Sequence, residues 1–436
     1  MKFKNKNVLV YGLSVSGQWA CKLLRKQKAN VFLYDDNAEK YSNRTFNDCF
    51  VIPAINANLM WQFDCIIVSP AIPKDNPNLE LARKANIKIY SELEFASLFC
   101  NNLVAITGTN GKTTTVQLVE AMLNQKHKAI ACGNIGYPLS RAVLENKNSI
   151  KVAEVSSFML EHAEEFSPKT VAVLNISQDH LIRHKTMEEY SNLKIGIFKN
   201  LKQNQFAVVD LDSNIRPTKT CATITYSQNG FADVCLKEGY IYLHQHKICA
   251  VNELKLKGKH NIQNVMCAIC FASIYKVKPE KIRQALLSFK PSNFRIQNVG
   301  QAGGIKFVND SKSTNVASTL CAVETVKGAI ILLLGGSKKG IDYKKLFESL
   351  TKRVKFIVAY GEIKDELKDI NHDKFLLETC QNLDEAFNLA TQNAKVGDTI
   401  LLSPASASYD QFKSYVERGN RFNELVKAYE RENKKE

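Results

Sequence analysis

The feature that most constrains the fold of this chain is the run Val104-Ala-Ile-Thr-Gly-Thr-Asn-Gly-Lys-Thr-Thr-Thr115. An apolar strand ends in Gly108, a turn containing a second glycine follows, and Lys112 with Thr113 begins a helix. In this arrangement backbone N–H groups and the helix N-terminus bind phosphate, the lysine neutralises its charge, and the hydroxyl binds Mg²⁺. The standard motif has a further glycine where this chain has Ile106, so the motif here is the shorter Gly-x-x-Gly-Lys-Thr. The run predicts an ATP-binding loop.

Length and composition indicate a globular protein of several domains. The 436 residues suggest about three domains. The 12 cysteines have no framework spacing, which indicates reduced thiols of a cytosolic protein. Cys267 and Cys270 lie inside an apolar helical run, which favours core packing over metal binding. The first residues contain no apolar signal region and no apolar run exceeds strand length, so we expect a cytoplasmic protein without a membrane span.

The net charge of +16 raises the question of a nucleic-acid partner. The lysines are scattered, and no basic stripe is interleaved with aromatic residues, as nucleic-acid-binding surfaces usually require. The charge therefore favours a solvated lysine-rich surface or an anionic, phosphate-rich substrate, and we expect no nucleic-acid binding.

Strand patterns alternate with helical patterns along the chain, which predicts an α/β fold with mainly parallel sheets. We expect three domains: a Rossmann-like domain over residues 1–91, a central domain carrying the phosphate loop over 92–291, and a Rossmann-like α/β domain over 292–436. Residues 240–251 read as a hairpin, so the central domain should also contain antiparallel strands.

A second glycine turn, Gly12-Leu-Ser-Val-Ser-Gly17, follows the first predicted strand. Asp35 and Asp36 end the next strand, near the place where dinucleotide folds contact ribose. Ser14 stands where such folds have the glycine that admits a pyrophosphate, which argues against NAD. A nucleotide bound differently and a purely structural turn both remain open.

Polar side chains follow several further strands. Glu154 ends one strand, and Asp179 with His180 follows another, so these side chains could bind the Mg²⁺ of a phosphate site or serve the structure alone. The amides of Gly258–Asn264 suit a nucleotide base or a helix cap. Two segments that follow strands of one domain carry groups that can bind an anion, Asn309–Asn315 and Ser403–Ser408. This suggests a substrate with a carboxylate.

With these motifs the chain resembles the Mur ligases, the cytoplasmic ATP-dependent amide ligases of bacterial cell-wall synthesis. The resemblance runs from residue 12 to residue 420 and includes Gly133-Asn-Ile-Gly136 and Glu154-Val-Ser-Ser-Phe158. Leu402-Ser-Pro-Ala-Ser-Ala-Ser-Tyr-Asp-Gln-Phe412, together with Arg418-Gly-Asn-Arg-Phe422, is most specific to the members that add D-glutamate.

The resemblance implies a reaction and its participants. ATP would phosphorylate the carboxylate of UDP-N-acetylmuramoyl-L-alanine, the amine of D-glutamate would attack the acyl phosphate, and a tetrahedral intermediate would collapse to the amide, ADP and phosphate. It further implies two Mg²⁺ ions and a monomer in the cytoplasm.

The resemblance also implies site residues. The catalytic residues would be Lys112, Glu154, His180 and Lys194. ATP would contact Gly108, Thr109, Asn110, Gly111, Lys112, Thr113, Thr114, Asn264, Arg295 and Asp310. The Mg²⁺ ligands would be Thr113, Glu154, His180 and Lys194, the last as a carbamate. The UDP-substrate would contact Ser14, Val15, Ser16, Asp36, Ala71, Asn134 and Ser156. D-glutamate would contact Lys312, Thr314, Lys339, Ser408 and Tyr415.

Four positions depart from the family pattern. Met159 replaces a glutamine, Ile182 an acidic residue, Phe294 a histidine, and Ser337 an acidic residue. The alternatives to a D-glutamate ligase are a sister ligase for another amino acid, a folylpolyglutamate synthetase, a nucleotide-dependent switch without catalysis, and an NAD oxidoreductase.

Overall fold

The structure, a computed structural model, describes residues 2–37, 49–338, 340–371 and 373–433. These residues form three β-sheets, and they divide into two compact units. The first unit contains residues up to 176, 188–255 and 261–289, and the second contains 177–187, 256–260 and the chain from 290 onward. No helix in the described ranges is long and apolar enough to cross a bilayer.

The first sheet consists of five parallel strands. They are β1 (Asn7–Tyr11), β2 (Asn30–Tyr34), β3 (Phe50–Val51), β4 (Cys65–Val68) and β5 (Lys88–Ser91). The helices of this region are α1 (Val15–Lys26), α2 (Ala57–Met60), α3 (Pro77–Lys84) and α4 (Glu92–Ser97). The strand order is β3-β2-β1-β4-β5, so the chain changes direction at β1 and leaves a crevice beyond the carboxyl ends of β1 and β4.

The second sheet has nine strands and carries the glycine-lysine loop. Its strands are β6 (Leu103–Thr107), β7 (Ala129–Gly133), β8 (Ile150–Glu154), β9 (Thr170–Val173), β10 (Phe206–Asp210), β11 (Ala222–Ser227), β12 (Val234–Lys237), β13 (Tyr240–Leu243) and β14 (His246–Ala250). The order is β14-β13-β12-β11-β10-β9-β6-β8-β7. Pairing is parallel except between β12, β13 and β14, which confirms the hairpin expected over residues 240–251.

Helices follow most strands of the second sheet along the chain. They are α5 (Lys112–Leu123), α6 (Leu139–Glu145), α7 (Ser157–Leu160), α8 (Leu181–His184), α9 (Met187–Ile195), α10 (Lys259–Ile274) and α11 (Pro279–Ser288). Two 3₁₀ turns, Gly196–Phe198 and Val251–Glu253, complete the region. Cys267 and Cys270 are fully buried in α10, which confirms their role in core packing.

The third sheet has six strands in the second compact unit. They are β15 (Gln297–Ala302), β16 (Ile305–Asn309), β17 (Ile330–Gly335), β18 (Val354–Tyr360), β19 (Leu377–Cys380) and β20 (Thr399–Ala405), in the order β15-β16-β20-β17-β18-β19. Only β15 and β16 pair antiparallel. The helices are α12 (Val316–Thr325), α13 (Lys344–Ser349), α14 (Lys364–Asn371), α15 (Leu383–Gln392) and α16 (Tyr415–Glu432), with a 3₁₀ turn at Gly361–Ile363. The predicted α/β class with mainly parallel sheets is confirmed.

The first and second sheets are joined by helix packing within one unit. Helices α1, α4 and α6 pack together and contribute to one apolar core. The buried carboxylate of Glu92 in α4 accepts a hydrogen bond from the backbone N–H of Ser140, in the first turn of α6, at 2.7 Å. That N–H has no partner inside its own helix, so the contact caps α6 with a side chain from the neighbouring region. Burial raises the pKa of Glu92.

The carboxyl ends of three neighbouring strands in the third sheet are held together by Arg418 of α16, which is fully buried. Its guanidinium donates to the carbonyl oxygens of Ser311 (2.9 Å) and Ser406 (3.0 Å). It also donates to the carbonyl oxygens of Ala407 (3.2 Å) and Gly335 (3.4 Å), and to the Ser311 hydroxyl (3.1 Å). One cation therefore connects the ends of β16, β20 and β17.

We expect Arg418→Met to destabilise the unit that contains the third sheet by about 3 kcal/mol, because the carbonyls around it would lose a buried charged donor. The control is Arg421→Met on the same helix. Arg421 pairs with Asp384, and both side chains are 42% exposed, so its loss should cost less than about 1 kcal/mol. Urea unfolding followed by circular dichroism measures both. Equal shifts for the two variants would contradict the role given to Arg418.

Candidate active site

The loop between β6 and α5 has the geometry of a phosphate-binding turn. Gly111, the N-cap residue directly before α5, is in the left-handed region, with φ +81°. A Cβ atom at this position would lie 2.4 Å from Oδ1 of Asn264, a buried residue of α10. Backbone conformation and space therefore both require glycine here. The same close approach places Asn264, one of the predicted ATP residues, directly against the loop.

The ammonium group of Lys112 lies over the same loop. Its Nζ donates to the carbonyl oxygens of Gly108 (2.8 Å) and Thr109 (2.7 Å). The lysine is thus positioned at the turn where phosphate oxygens would meet the N-terminus of α5, so the loop fits a nucleoside triphosphate.

Two residues that the sequence did not single out hold the loop in shape. Asn175 accepts from the backbone N–H of Asn110 through Oδ1 (2.8 Å) and from that of Thr109 through its carbonyl oxygen (2.9 Å). The hydroxyl of Tyr190 in α9 lies 3.0 Å from the hydroxyl of Thr109. Tyr190 and Lys194 are four residues apart, so they share one helix face, and this spacing is the signal that could have identified Tyr190.

Lys194 is buried beside the start of the loop. Its Nζ donates to the carbonyl oxygen of Gly108 at 2.8 Å and to the Thr107 hydroxyl at 3.4 Å. The structure therefore brings Lys194 to the end of β6, next to the phosphate loop.

Glu154 and Thr113 form the oxygen-rich end of the site. The Thr113 hydroxyl donates to Oε2 of Glu154 at 2.6 Å, and Nδ2 of Asn134 donates to Oε1 at 3.1 Å. A carboxylate and a hydroxyl beside a phosphate loop are typical Mg²⁺ ligands, because this ion prefers oxygen and completes its shell with phosphates and water. Within the described ranges no three His, Cys, Asp or Glu side chains are grouped so that they could hold a metal ion by themselves.

The predicted UDP-substrate residues of the first sheet lie at its carboxyl edge. Ser14, Val15 and Ser16 lie at the start of α1, Asp36 follows β2, and Ala71 follows β4. Several contacts stabilise this edge. The hydroxyls of Ser14 and Ser69 are 3.1 Å apart, Tyr11 donates to Asp36 at 2.8 Å, and the N–H of Leu13 donates to the buried Asp35 at 2.6 Å.

The remaining two UDP-substrate residues, Asn134 and Ser156, lie at the carboxyl edge of the second sheet. Asn134 contacts Glu154 as described, and the Ser156 hydroxyl caps α7 by accepting from the N–H of Met159 at 3.3 Å. Met159 is buried in the apolar core. Met159 therefore places a core side chain where the family pattern has a polar glutamine.

Asp310, a predicted ATP residue, is buried after β16 in the second unit. It accepts from the Ser403 hydroxyl (2.8 Å) and from the N–H of Ile296 (3.1 Å), and burial raises its pKa to about 6. Arg295 lies between Phe294 (φ 64°) and Ile296 (φ 45°). Positive φ is rare for bulky side chains, so the turn that presents Arg295 is strained, as is common at functional sites.

The predicted D-glutamate residues gather around the ends of β16 and β20. Nζ of Lys312 lies 3.6 Å from the centre of the Tyr415 ring. Arg418 donates to the carbonyl oxygens of Ser311 and Ala407, and the residues that directly follow these two are Lys312 and the buried Ser408. Thr314 lies two residues before α12. Lys339 lies outside the described residues.

The other predicted residue of the second unit is His180, which precedes α8. Of the departures nearby, Ile182 is 72% exposed. The Ser337 hydroxyl accepts from the N–H of Asp410 at 2.9 Å. Phe294 packs against Gly419, where an added Cβ atom would meet its ring at 2.4 Å. Each departure has a structural role or points to solvent.

Comparisons with known proteins agree with this geometry. Residues 106–272 match the family model of the Mur ligase middle domain, and residues 294–406 match that of the Mur ligase glutamate ligase domain. Two solved structures share the fold. The MurF ligase from Thermotoga maritima in complex with ADP has a TM-score of 0.63 at 17% identity, covering 99% of this chain and 96% of that one. The UDP-N-acetylmuramate-alanine ligase MurC from Thermotoga maritima has a TM-score of 0.61 at 16% identity, covering 97% and 100%.

Sequence relatives extend the match to the whole chain. The UDP-N-acetylmuramoylalanine--D-glutamate ligase of Thermoanaerobacter sp. (strain X514) is 34% identical over 98% of this chain and 99% of its own length. The protein of the same name from Koribacter versatilis (strain Ellin345) is 35% identical over the full length of both chains. The chain therefore belongs to the Mur ligase family and is similar throughout its length to the members named UDP-N-acetylmuramoylalanine--D-glutamate ligase.

Proposed function

We propose that this protein is the ATP-dependent ligase that joins D-glutamate to UDP-N-acetylmuramoyl-L-alanine in peptidoglycan precursor synthesis. The names of its full-length relatives support the substrates, and the phosphate loop supports the use of ATP. We further propose that it acts in the cytoplasm as a monomer, with domain boundaries after residues 91 and 291.

The observation that carries the proposal is the position of Glu154. One carboxylate contacts both Thr113, in the phosphate loop, and Asn134, a candidate residue for the UDP-substrate. A phosphoryl transfer from ATP to a carboxylate needs its two anionic partners to meet at one place. The two contacts of Glu154 support a site in which the terminal phosphate of ATP and the accepting carboxylate meet next to it.

Each residue of the site would have a separate role. Lys112 would neutralise the phosphates, and the N–H groups of the loop would orient them. Mg²⁺, when bound, would be held by Thr113 and Glu154 at one position and by His180 and a carbamylated Lys194 at a second, where it would lower the charge repulsion between the anions.

The second unit would supply the remaining nucleotide contacts and the amino acid site. Arg295 and Asp310 would contact ATP, and Lys312 with Ser408 would bind the carboxylates of D-glutamate. The amine then attacks the acyl phosphate, and the tetrahedral intermediate releases phosphate as the amide forms.

The proposal predicts strict dependence on D-glutamate. With Mg²⁺, ATP and UDP-N-acetylmuramoyl-L-alanine, phosphate release should require D-glutamate and should not occur with L-glutamate, L-alanine, L-lysine or diaminopimelate. Mass spectrometry should identify the amide. Glu154→Gln should slow release by about 100-fold or more, because it removes a charged ligand of the Mg²⁺ that would neutralise the transferring phosphoryl group. Glu145→Gln changes an exposed carboxylate on α6 and should have no effect. Release with another amino acid would reassign the enzyme to a sister activity, and no release with any would favour a nucleotide-dependent switch.

The phosphate loop itself is tested by Gly111→Ala. The added methyl group would clash with Asn264, so ATP affinity should fall by at least about tenfold, or 1.4 kcal/mol. Gly239→Ala is the matched control, because Gly239 has φ +77° and an added Cβ there meets nothing within 4 Å. Both variants share the cost of a left-handed alanine, of order 1 kcal/mol, and only the first has the clash. Titration calorimetry with ATP should separate them; equal affinities would remove Gly111 from the ATP site.

A further inference from the structure

A buried carboxylate next to His180 has no role in the reaction described above. Asp179 is 5% exposed and uses both of its oxygens. Oδ1 accepts from the backbone N–H of His180 at 2.9 Å, and Oδ2 accepts from Nδ2 of Asn315 at 3.1 Å. All three residues belong to the second compact unit. Asp179 therefore connects the backbone of His180 to the segment Asp310–Asn315.

The backbone of His180 is in a conformation that needs external support. Its φ of 56° and ψ of 28° lie in the left-handed region, which costs a residue with a side chain about 1 kcal/mol or more. Such a conformation persists only where surrounding contacts hold it. The hydrogen bond from its N–H to Asp179 is one such contact, so the direction of the His180 side chain depends on where Asp179 is held.

Asn315 has two functions at once. Its Oδ1 accepts from the N–H of Ser318 and caps α12, while its Nδ2 donates to Asp179. It also ends the segment that carries Lys312 and Thr314, the residues expected to bind D-glutamate. A displacement of this segment would therefore reach Asp179 through this amide group.

We infer that Asn315 and Asp179 are positioning residues that couple Mg²⁺ binding at His180 to D-glutamate binding by the segment Asp310–Asn315. This inference rests on the proposed function for the identity of both ligands. Coupling between two sites is reciprocal, so D-glutamate should tighten metal binding to the same extent as the metal tightens D-glutamate binding. Asn315 reaches Asp179 only with its terminal amide, which makes the contact removable without removing the helix cap.

The test is Asn315→Ser, which keeps a capping oxygen for α12 but is too short to reach Asp179. The matched control is Asn382→Ser at the start of α15. There Asn382 also caps a helix through Oδ1, accepting from the N–H of Glu385 at 2.9 Å, and also donates from Nδ2 to a carboxylate, that of Glu385, at 2.8 Å. Both variants lose the same groups, and only one of them loses a contact to Asp179.

Mn²⁺ serves as a paramagnetic probe for Mg²⁺. Its binding to the full-length protein with ADP is measured by pulsed electron paramagnetic resonance, with and without D-glutamate, and the nitrogen hyperfine coupling of an imidazole ligand distinguishes the ion at His180 from the ion at Thr113 and Glu154. For Asn315→Ser we expect Mn²⁺ affinity to fall about tenfold, the usual effect of losing a residue that orients a metal ligand, and D-glutamate to stop tightening Mn²⁺ binding. The KM for D-glutamate should rise with little change in the KM for ATP. Asn382→Ser should match the wild type in every measurement.

Asp179→Asn provides a second variant that leaves the α12 cap intact. In this variant an amide group replaces the carboxylate that accepts from Nδ2 of Asn315, which weakens the contact. The variant should therefore reproduce the loss of Mn²⁺ affinity. If Asn315→Ser and Asp179→Asn both retain wild-type Mn²⁺ affinity and its response to D-glutamate, the inference is wrong. If the wild type binds Mn²⁺ with ADP but forms no amide, the proposed function fails, and the Mn²⁺ measurements without D-glutamate still decide whether these residues position His180.

Discussion

The hydrogen bond between Thr113 and Glu154 is the interaction on which the arrangement of the site depends. Glu154 is the last residue of β8, and Thr113 lies in the first turn of α5, which follows the adjacent parallel strand β6; the register that pairs Ile106 of β6 with Glu154 of β8 fixes their separation. Next to them, Gly133 approaches so closely that a Cβ atom would lie 2.2 Å from the carbonyl oxygen of Glu154. This close approach lets Asn134 reach the same carboxylate. Sheet register and one glycine thus place three functional groups together.

The second unit uses a different means to position its functional groups. Here buried charged side chains hold strand ends and turns that have little regular structure of their own. Arg418 connects the ends of three strands, and Asp310 holds the strained turn that carries Arg295 through the N–H of Ile296. Buried charged groups of this kind are costly unless every donor and acceptor is matched, so they fix one arrangement and resist alternatives. Rigidity of the proposed amino acid site is the expected consequence.

Two of the departures from the family pattern affect packing and not the charged groups of the proposed site. Met159 enlarges the apolar core, and Phe294 packs against Gly419 on the helix that carries Arg418. Neither side chain replaces a group that carries charge in the proposed reaction. The groups that do, Lys112, Glu154, His180 and Lys194, are those of the family. At these two positions the packing therefore departs from the family pattern, while the groups proposed to carry the reaction are retained.

The sequence by itself determined the α/β class, the phosphate loop, the hairpin and the strand ends that carry polar residues. These features follow from local rules, because hydrophobic periodicity and glycine turns act over a few neighbouring residues. It did not reveal Tyr190, Asn175, the pairing of Asp179 with Asn315, or the contacts of Arg418. Each of these depends on a hydrogen bond between residues distant in the chain, from 65 residues apart for Asn110 and Asn175 to 136 for Asp179 and Asn315. No local pattern encodes such a contact, since only the packing of strands and helices decides which polar groups are buried next to each other.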